Sequence, residues 1–119
     1  VKPVSEEALH VAVVSFLRTT LPENCSWFHV PNSLRTSYRN AARHKAMGMK
    51  AGVSDLVFCY GGRHYEIELK KPGSYQTKKQ KDWQAGIEAA GGKYAVCKSL
   101  EDVNRVLLSW GFKLRGRLA

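Results

Sequence analysis

No stretch of this chain approaches the apolar length needed to cross a bilayer, and Val1 to Leu9 lacks the charged-then-apolar order of a signal peptide. A soluble protein of the cytoplasm is therefore expected. Cysteine is scarce: Cys25, Cys59 and Cys97 are odd in number and widely spaced, and each falls in an apolar run. That excludes a disulfide framework and leaves buried free thiols in a reducing compartment as the expectation. No pair has CxxC spacing and the four histidines show no matching pattern, which argues against structural zinc. Repeats, low-complexity tracts and linker-like stretches are absent too, so the 119 residues are expected to form a single domain, 1–119. Negative charge is in short supply, with 10 Asp and Glu against 19 Lys and Arg and a formal net charge of +9. A polyanionic partner is the natural reading of that imbalance, a basic surface kept for solubility the plainer one.

What is present divides into alternating helical and extended patterns. Ser5 followed by two glutamates resembles a helix start, and Leu9, Val13, Phe16 and Leu17 recur at helical spacing up to Pro22, which predicts a helix over 5–20. Glu6 falls on the same stripe and is expected to tilt inward, whereas Glu7 rotates away. Ser26 to Val30 suits a short strand ended by Pro31-Asn32. A strongly basic helix is expected over 34–47, with Arg35, Arg39 and Arg43 at four-residue intervals. Two strands, 55–60 and 63–70, flank Gly61-Gly62, a hairpin signal because a type I′ turn needs positive φ at both central residues. A helix over 77–90, a strand over 93–98 and a last helix begun by Ser99 with Asp102 three residues on complete the order α-β-α-β-β-α-β-α. The fold class is α/β, a mixed sheet flanked by helices.

The hairpin carries the chemistry. A two-residue turn pairs Tyr60 with Arg63 and, five steps out, Asp55 with Glu68. Directly opposed like charges destabilise a sheet unless a cation or a proton comes between them. The same register gathers Leu56, Phe58, Tyr65, Ile67 and Leu69 on the other face as core. Lys70 projects beside Glu68, where an ammonium can orient or help deprotonate a water. Glu66 shares that face, either supporting the site or merely solvated. Hard divalent cations such as Mg²⁺ or Mn²⁺ take oxygen ligands, and Asp55, Glu68 and the backbone carbonyl of Leu69 can supply them, with Glu6 as a further acid or the ligand of a second ion. The alternative is that Asp55, Glu68 and Lys70 are only the polar half of an edge strand's alternation. An acidic-x-Lys triplet alone would favour that alternative; the opposition of Asp55 across the hairpin favours function.

Gly52-Val-Ser-Asp55, then Glu68-Leu-Lys70-Lys-Pro-Gly, then Gln80 with Trp83, and later Gly91-Gly92 before a strand, resemble the virus-type replication-repair nuclease (VRR-NUC) family of the PD-(D/E)XK nuclease superfamily. His29-Val-Pro-Asn32 also looks like that family's segment after the first strand, and the resemblance runs from about Glu6 to Trp110. It implies a restriction-endonuclease-like core in which Asp55 and Glu68 bind metal, Lys70 is catalytic, Gln80 supports the site and Glu6 is the helical acid. Gln80 shares a helix face with Trp83 and Ile87, so it is expected to point at the sheet; a capping or surface glutamine is the alternative. The chain departs from the family in offering Glu6 and Glu7 in tandem, and in placing His10 where a Gln is common. His10 is either a satisfied polar residue or a substrate contact.

Basic residues bracket the site in sequence: Arg35, Arg39, Arg43, Lys45 and Lys50 before it, Lys71, Lys78, Lys79 and Lys81 after it. They are expected to hold DNA phosphates on both sides. No sequence-reading motif such as a zinc finger is evident, so recognition by DNA structure is expected. Freestanding members of the family resemble phage-encoded nucleases and Holliday-junction resolvases that act as homodimers. The resemblance thus implies a metal-dependent endonuclease for branched DNA, such as junctions or flaps, in replication, recombination or repair, working in the host cytoplasm if phage-encoded. A non-catalytic DNA-binding module of the same fold and a sequence-specific restriction-type enzyme are the competing readings.

Overall fold

In a computed structural model of the chain, residues 5–31 and 38–116 are described. The elements are α1 (Glu6–Thr20), β1 (Ser26–His29), α2 (Tyr38–Ala46), β2 (Leu56–Tyr60), β3 (Arg63–Leu69), α3 (Lys78–Ala89), β4 (Lys93–Cys97) and α4 (Leu100–Ser109). This is the expected order, with ends shifted by a residue or two; the part of the basic helix expected over 34–37 lies outside the described residues.

Local chemistry accounts for the boundaries. Ser5 caps α1 by accepting the Ala8 N–H at 3.0 Å, and Leu21 is extended because Pro22 follows it. Gly61 and Gly62 take φ of 59° and 75°, the type I′ geometry that closes the β2–β3 hairpin. Thr77 and Gln80 form a reciprocal capping box at the start of α3. Ser99 accepts the Asp102 N–H at 3.0 Å, while the Asp102 carboxylate accepts from the Lys98 N–H at 2.9 Å.

The four strands lie in the order β1-β2-β3-β4, antiparallel except for the parallel β3–β4 pair. Leu56 faces Ile67 and Tyr60 faces Arg63, so the predicted register holds. Leu56, Phe58, Tyr65, Ile67 and Leu69 are all buried, in one core with Leu9, Val13 and Leu17 of α1 and Val103 and Leu107 of α4. The segment after α4 closes the sheet's end: Phe112 lies edge-on to Phe58 and Tyr65, and Arg115 donates through Nε to the Leu21 carbonyl at 2.7 Å. The described part of the basic tail is thereby docked against the C-terminus of α1.

Two expectations are corrected here. Cys97 is buried, Cys25 is half-buried, and Cys59 is exposed because it alternates onto the face of β2 opposite the core. Glu6 is exposed, although its position continues the stripe of Leu9 and Val13. Helical spacing sets the direction of a side chain, not its depth, and at Glu6 the stripe has left the core.

Candidate functional site

The face of the sheet opposite that core carries Asp55, His64, Glu66, Glu68 and Lys70, and α3 lies across it. Apolar contact does little of the docking, since no residue of α3 is fully buried. Hydrogen bonds do it instead: Trp83 Nε1 donates to Glu66 Oε1 at 2.7 Å, and one turn earlier Gln80 Nε2 donates to Glu68 Oε1 at 3.4 Å. Gln80 Oε1 meanwhile accepts the Thr77 N–H at 2.9 Å, so one side chain both caps its helix and reaches the carboxylate. The inward-facing and capping readings of Gln80 are both realised, on a half-buried residue.

Asp55 is held just before β2. Its Oδ2 accepts the Leu69 N–H at 2.7 Å, and its backbone carbonyl accepts from the Val30 N–H at 2.8 Å and from His29 Nδ1 at 3.0 Å. Continuing the register one step past Leu56–Ile67 puts Asp55 opposite Glu68. The loop leading to Asp55 is pinned at Gly52, where φ is +81° and a Cβ would meet the Lys79 carbonyl oxygen at 2.4 Å. Only glycine allows the Asp55 loop to lie this close to the first turn of α3.

Glu68 is 2% exposed, and its Oε2 has no hydrogen-bond partner. Its pKa is pushed up to about 9, first by burial, then by the charge and close approach of Asp55; Lys70, itself buried, pulls it down, and Glu6 adds a smaller upward push. An orphaned, buried carboxylate oxygen facing a second carboxylate is a place for a proton or a cation. Asp55, Glu68 and the Leu69 carbonyl fit a hard divalent ion, which is commonly held by one or two carboxylates completed by waters and phosphate oxygens. Among the described residues no group of three or more His, Cys, Asp or Glu side chains forms a fuller cage.

Glu66 was not resolved from the sequence and is the best-secured acid here. It is 1% exposed and accepts from Ser54 Oγ at 2.7 Å, from Trp83 Nε1 at 2.7 Å and from His64 Nε2 at 2.5 Å. It is not solvated; it ties the residue before Asp55 to the middle of α3. Tyr94, paired with Glu66 across the sheet, is buried with its pKa raised by burial and by Glu68, and Gln76 donates to its hydroxyl at 3.5 Å. Neither His64 nor Tyr94 belongs to a motif, and Ser54 fills an unspecified position of the G-x-x-D segment; the alternation of β3 hinted at the face of His64 alone.

An open cleft of about 2020 Å³ leads to the carboxylates, well beyond the roughly 300–1,000 Å³ of a small-molecule pocket. Glu6, Glu7, His10, His29, Asp55, Glu68 and Gln80 line it, so Glu6 reaches the site from solvent. Of the two N-terminal acids, Glu6 is the one whose charge acts on Glu68. His10 meets His29 edge-on, with ring centroids 4.3 Å apart, and its pKa is lowered by burial and then by His29. Of the expected phosphate contacts, Lys45, Lys50 and Lys79 line the cleft. Arg43, Lys71 and Lys81 are exposed outside its walls, and Lys78 is exposed and paired with Asp82 at 2.9 Å. Arg35 and the side chain of Arg39 lie outside the described residues.

A solved structure of a VRR_NUC domain protein matches this chain with a TM-score of 0.75 at 25% sequence identity, over 93% of this chain and 91% of that one. The chain has the VRR-NUC fold. No family model matches the sequence, and no curated protein does. The resemblance that the motifs suggested therefore holds at the level of tertiary structure. In this VRR-NUC fold the G-x-x-D segment is the loop pinned to α3, the E-x-K segment is the end of β3, and Gln80 begins α3. No helix among the described residues is long and apolar enough to cross a membrane.

Proposed function

We propose that this nuclease-type domain is a metal-dependent DNA endonuclease that hydrolyses phosphodiester bonds in branched DNA such as junctions or flaps, as a homodimer in replication, recombination or repair, phage-encoded as the family resemblance suggests. The observation that carries the reading is the Glu68 carboxylate, buried, orphaned at Oε2 and opposed to Asp55, with the Lys70 ammonium acting on it. Asp55, Glu68 and the Leu69 carbonyl would hold Mg²⁺ or Mn²⁺, with Glu6 able to approach from the cleft. Such an ion supplies polarisation of the phosphodiester and charge stabilisation on the attacking and leaving oxygens.

The remaining work belongs to the chain's own groups. The Lys70 ammonium orients the attacking water and favours its ionisation by charge; the water's proton passes to solvent, and solvent protonates the departing 3′ oxygen. Gln80 holds Glu68 Oε1, which keeps Oε2 turned toward the site. Lys45, Lys50 and Lys79 hold the phosphate backbone along the cleft. Attack by water with departure of the 3′ oxygen leaves a 5′-phosphate and a 3′-hydroxyl. The whole of 1–119 acts as one domain in this scheme.

The test is cleavage of labelled four-way junction, flap, duplex and single-stranded DNA in Mg²⁺, Mn²⁺ or EDTA, with Asp55→Ala and Lys70→Ala beside the unaltered protein. Metal-dependent cutting lost in both variants is expected, branched substrates leading. Tight binding without cutting in any metal would overturn the enzyme and leave a DNA-binding module.

A further inference from the structure

The turn that ends α2 is built to hold two methionines out in the open. Met47 donates its N–H to the carbonyls of Arg43 and His44, both at 3.1 Å, Gly48 donates to Lys45 at 3.0 Å, and Met49 donates back to His44 at 3.0 Å. Gly48 takes φ of 97°, which lets the chain reverse there without strain. On this closed turn Met47 is 77% exposed and Met49 53% exposed. Single apolar residues on a surface need no explanation. Two on one tight turn, both lining the cleft that holds Asp55 and Glu68, do.

The neighbours say what the tip meets. Lys45 and Lys50 flank it on the same wall, and Lys79 lines the cleft from α3. Cations of that kind hold a phosphate backbone, yet the thioethers between them have nothing to gain from phosphates. They match the flat, apolar face of a base. Continuous duplex hides its base faces in the stack, whereas a branch point, a flap base or a nick exposes one. Apolar side chains, methionine among them, insert between base steps of duplex DNA at an unstacking cost of about a few kcal/mol per step, a cost already met where stacking is broken.

We propose that the Met47-Gly48-Met49 tip is an apolar wedge that packs against the exposed base face where stacking is broken, so that the cleft takes discontinuous DNA in preference to continuous duplex. This rests on the nuclease reading for its substrate and adds the element that selects within it. The lysines supply affinity for any DNA, and the methionines supply the discrimination.

The experiment is binding without cutting, in EDTA, to a flap carrying 2-aminopurine at the branch point and to a continuous duplex of the same sequence. The unaltered protein is expected to change the 2-aminopurine fluorescence of the flap. Met47→Ser with Met49→Ser is expected to abolish that change and weaken flap binding about tenfold, the weight of 1.4 kcal/mol, while leaving duplex binding within about twofold. Met47→Leu with Met49→Leu restores flap binding. Equal loss on both substrates, or loss on neither, overturns the wedge. So does loss of self-association in the serine variant, read by sedimentation, which would give the tip to a second copy of the chain. An unaltered protein that shows the fluorescence change yet cuts nothing in Mg²⁺ or Mn²⁺ fails the nuclease reading and leaves the wedge standing.

Discussion

Trp83 donates its indole N–H to Oε1 of Glu66 at 2.7 Å, fixing the middle of α3 to a carboxylate that is 1% exposed. Trp83→Phe removes the indole N–H donor while keeping an aromatic ring, and a buried acceptor that loses a partner costs about 1–3 kcal/mol. The urea midpoint should fall accordingly, and amide exchange in α3 should speed up ahead of α1 and α4. An unchanged midpoint would mean that Ser54 and His64 suffice to hold Glu66.

Glu68 gives the metal-free protein an unusual pH response. Its folded pKa of about 9 lies above the ordinary value of 4.5, so between those limits the folded state binds more proton than the unfolded one. Stability must therefore fall as pH rises from about 5 to about 9. Melting in EDTA across that range should show the decline, and Glu68→Gln should flatten it while raising the melting temperature at pH 8. Added Mn²⁺ takes the proton's place in this scheme, so calorimetry in buffers of different ionisation enthalpy should detect proton release on binding. Absence of both effects would remove Glu68 from the ligand set.

Gly52→Ala should be among the most damaging single-methyl changes. The added Cβ meets backbone, the Lys79 carbonyl carbon at 2.5 Å and oxygen at 2.4 Å, at a φ of +81°. The left-handed conformation alone costs roughly 1–2 kcal/mol, and the clash separates the Asp55 loop from the start of α3. A lowered midpoint together with weaker metal binding is expected; Gly48→Ala, with open space around its Cβ, should show only the conformational cost.

Salt dependence separates the lysines. Replacing Lys45, Lys50 or Lys79 with Ala should each reduce the slope of log K against log salt by about 0.7–0.9, the release of one phosphate's counterion. Lys78→Ala should change it less, because Asp82 already accompanies that charge. Equal slopes for all four would place the DNA away from the cleft.

Much of this molecule can be derived from residue order alone. Period-two and helical patterning determine the element order, because each element must bury one face. Gly61-Gly62 determines the register, because a two-residue turn needs two positive φ values, and with the register comes the opposition of Asp55 and Glu68. The net charge of +9 favours a polyanionic partner without excluding a basic surface kept for solubility. Depth and company are decided only in three dimensions. Glu6 follows the apolar stripe yet ends in solvent, and Gln80 follows one face yet serves both its own helix and Glu68, because azimuth on a helix is local and the end of the packed surface is not. Glu66 is indistinguishable from a solvated strand residue until α3 lays Trp83 over it. Which basic side chains border the carboxylates, and that two methionines stand among them, follow from how the α2 turn and α3 close around the sheet edge, a long-range placement that no local spacing encodes.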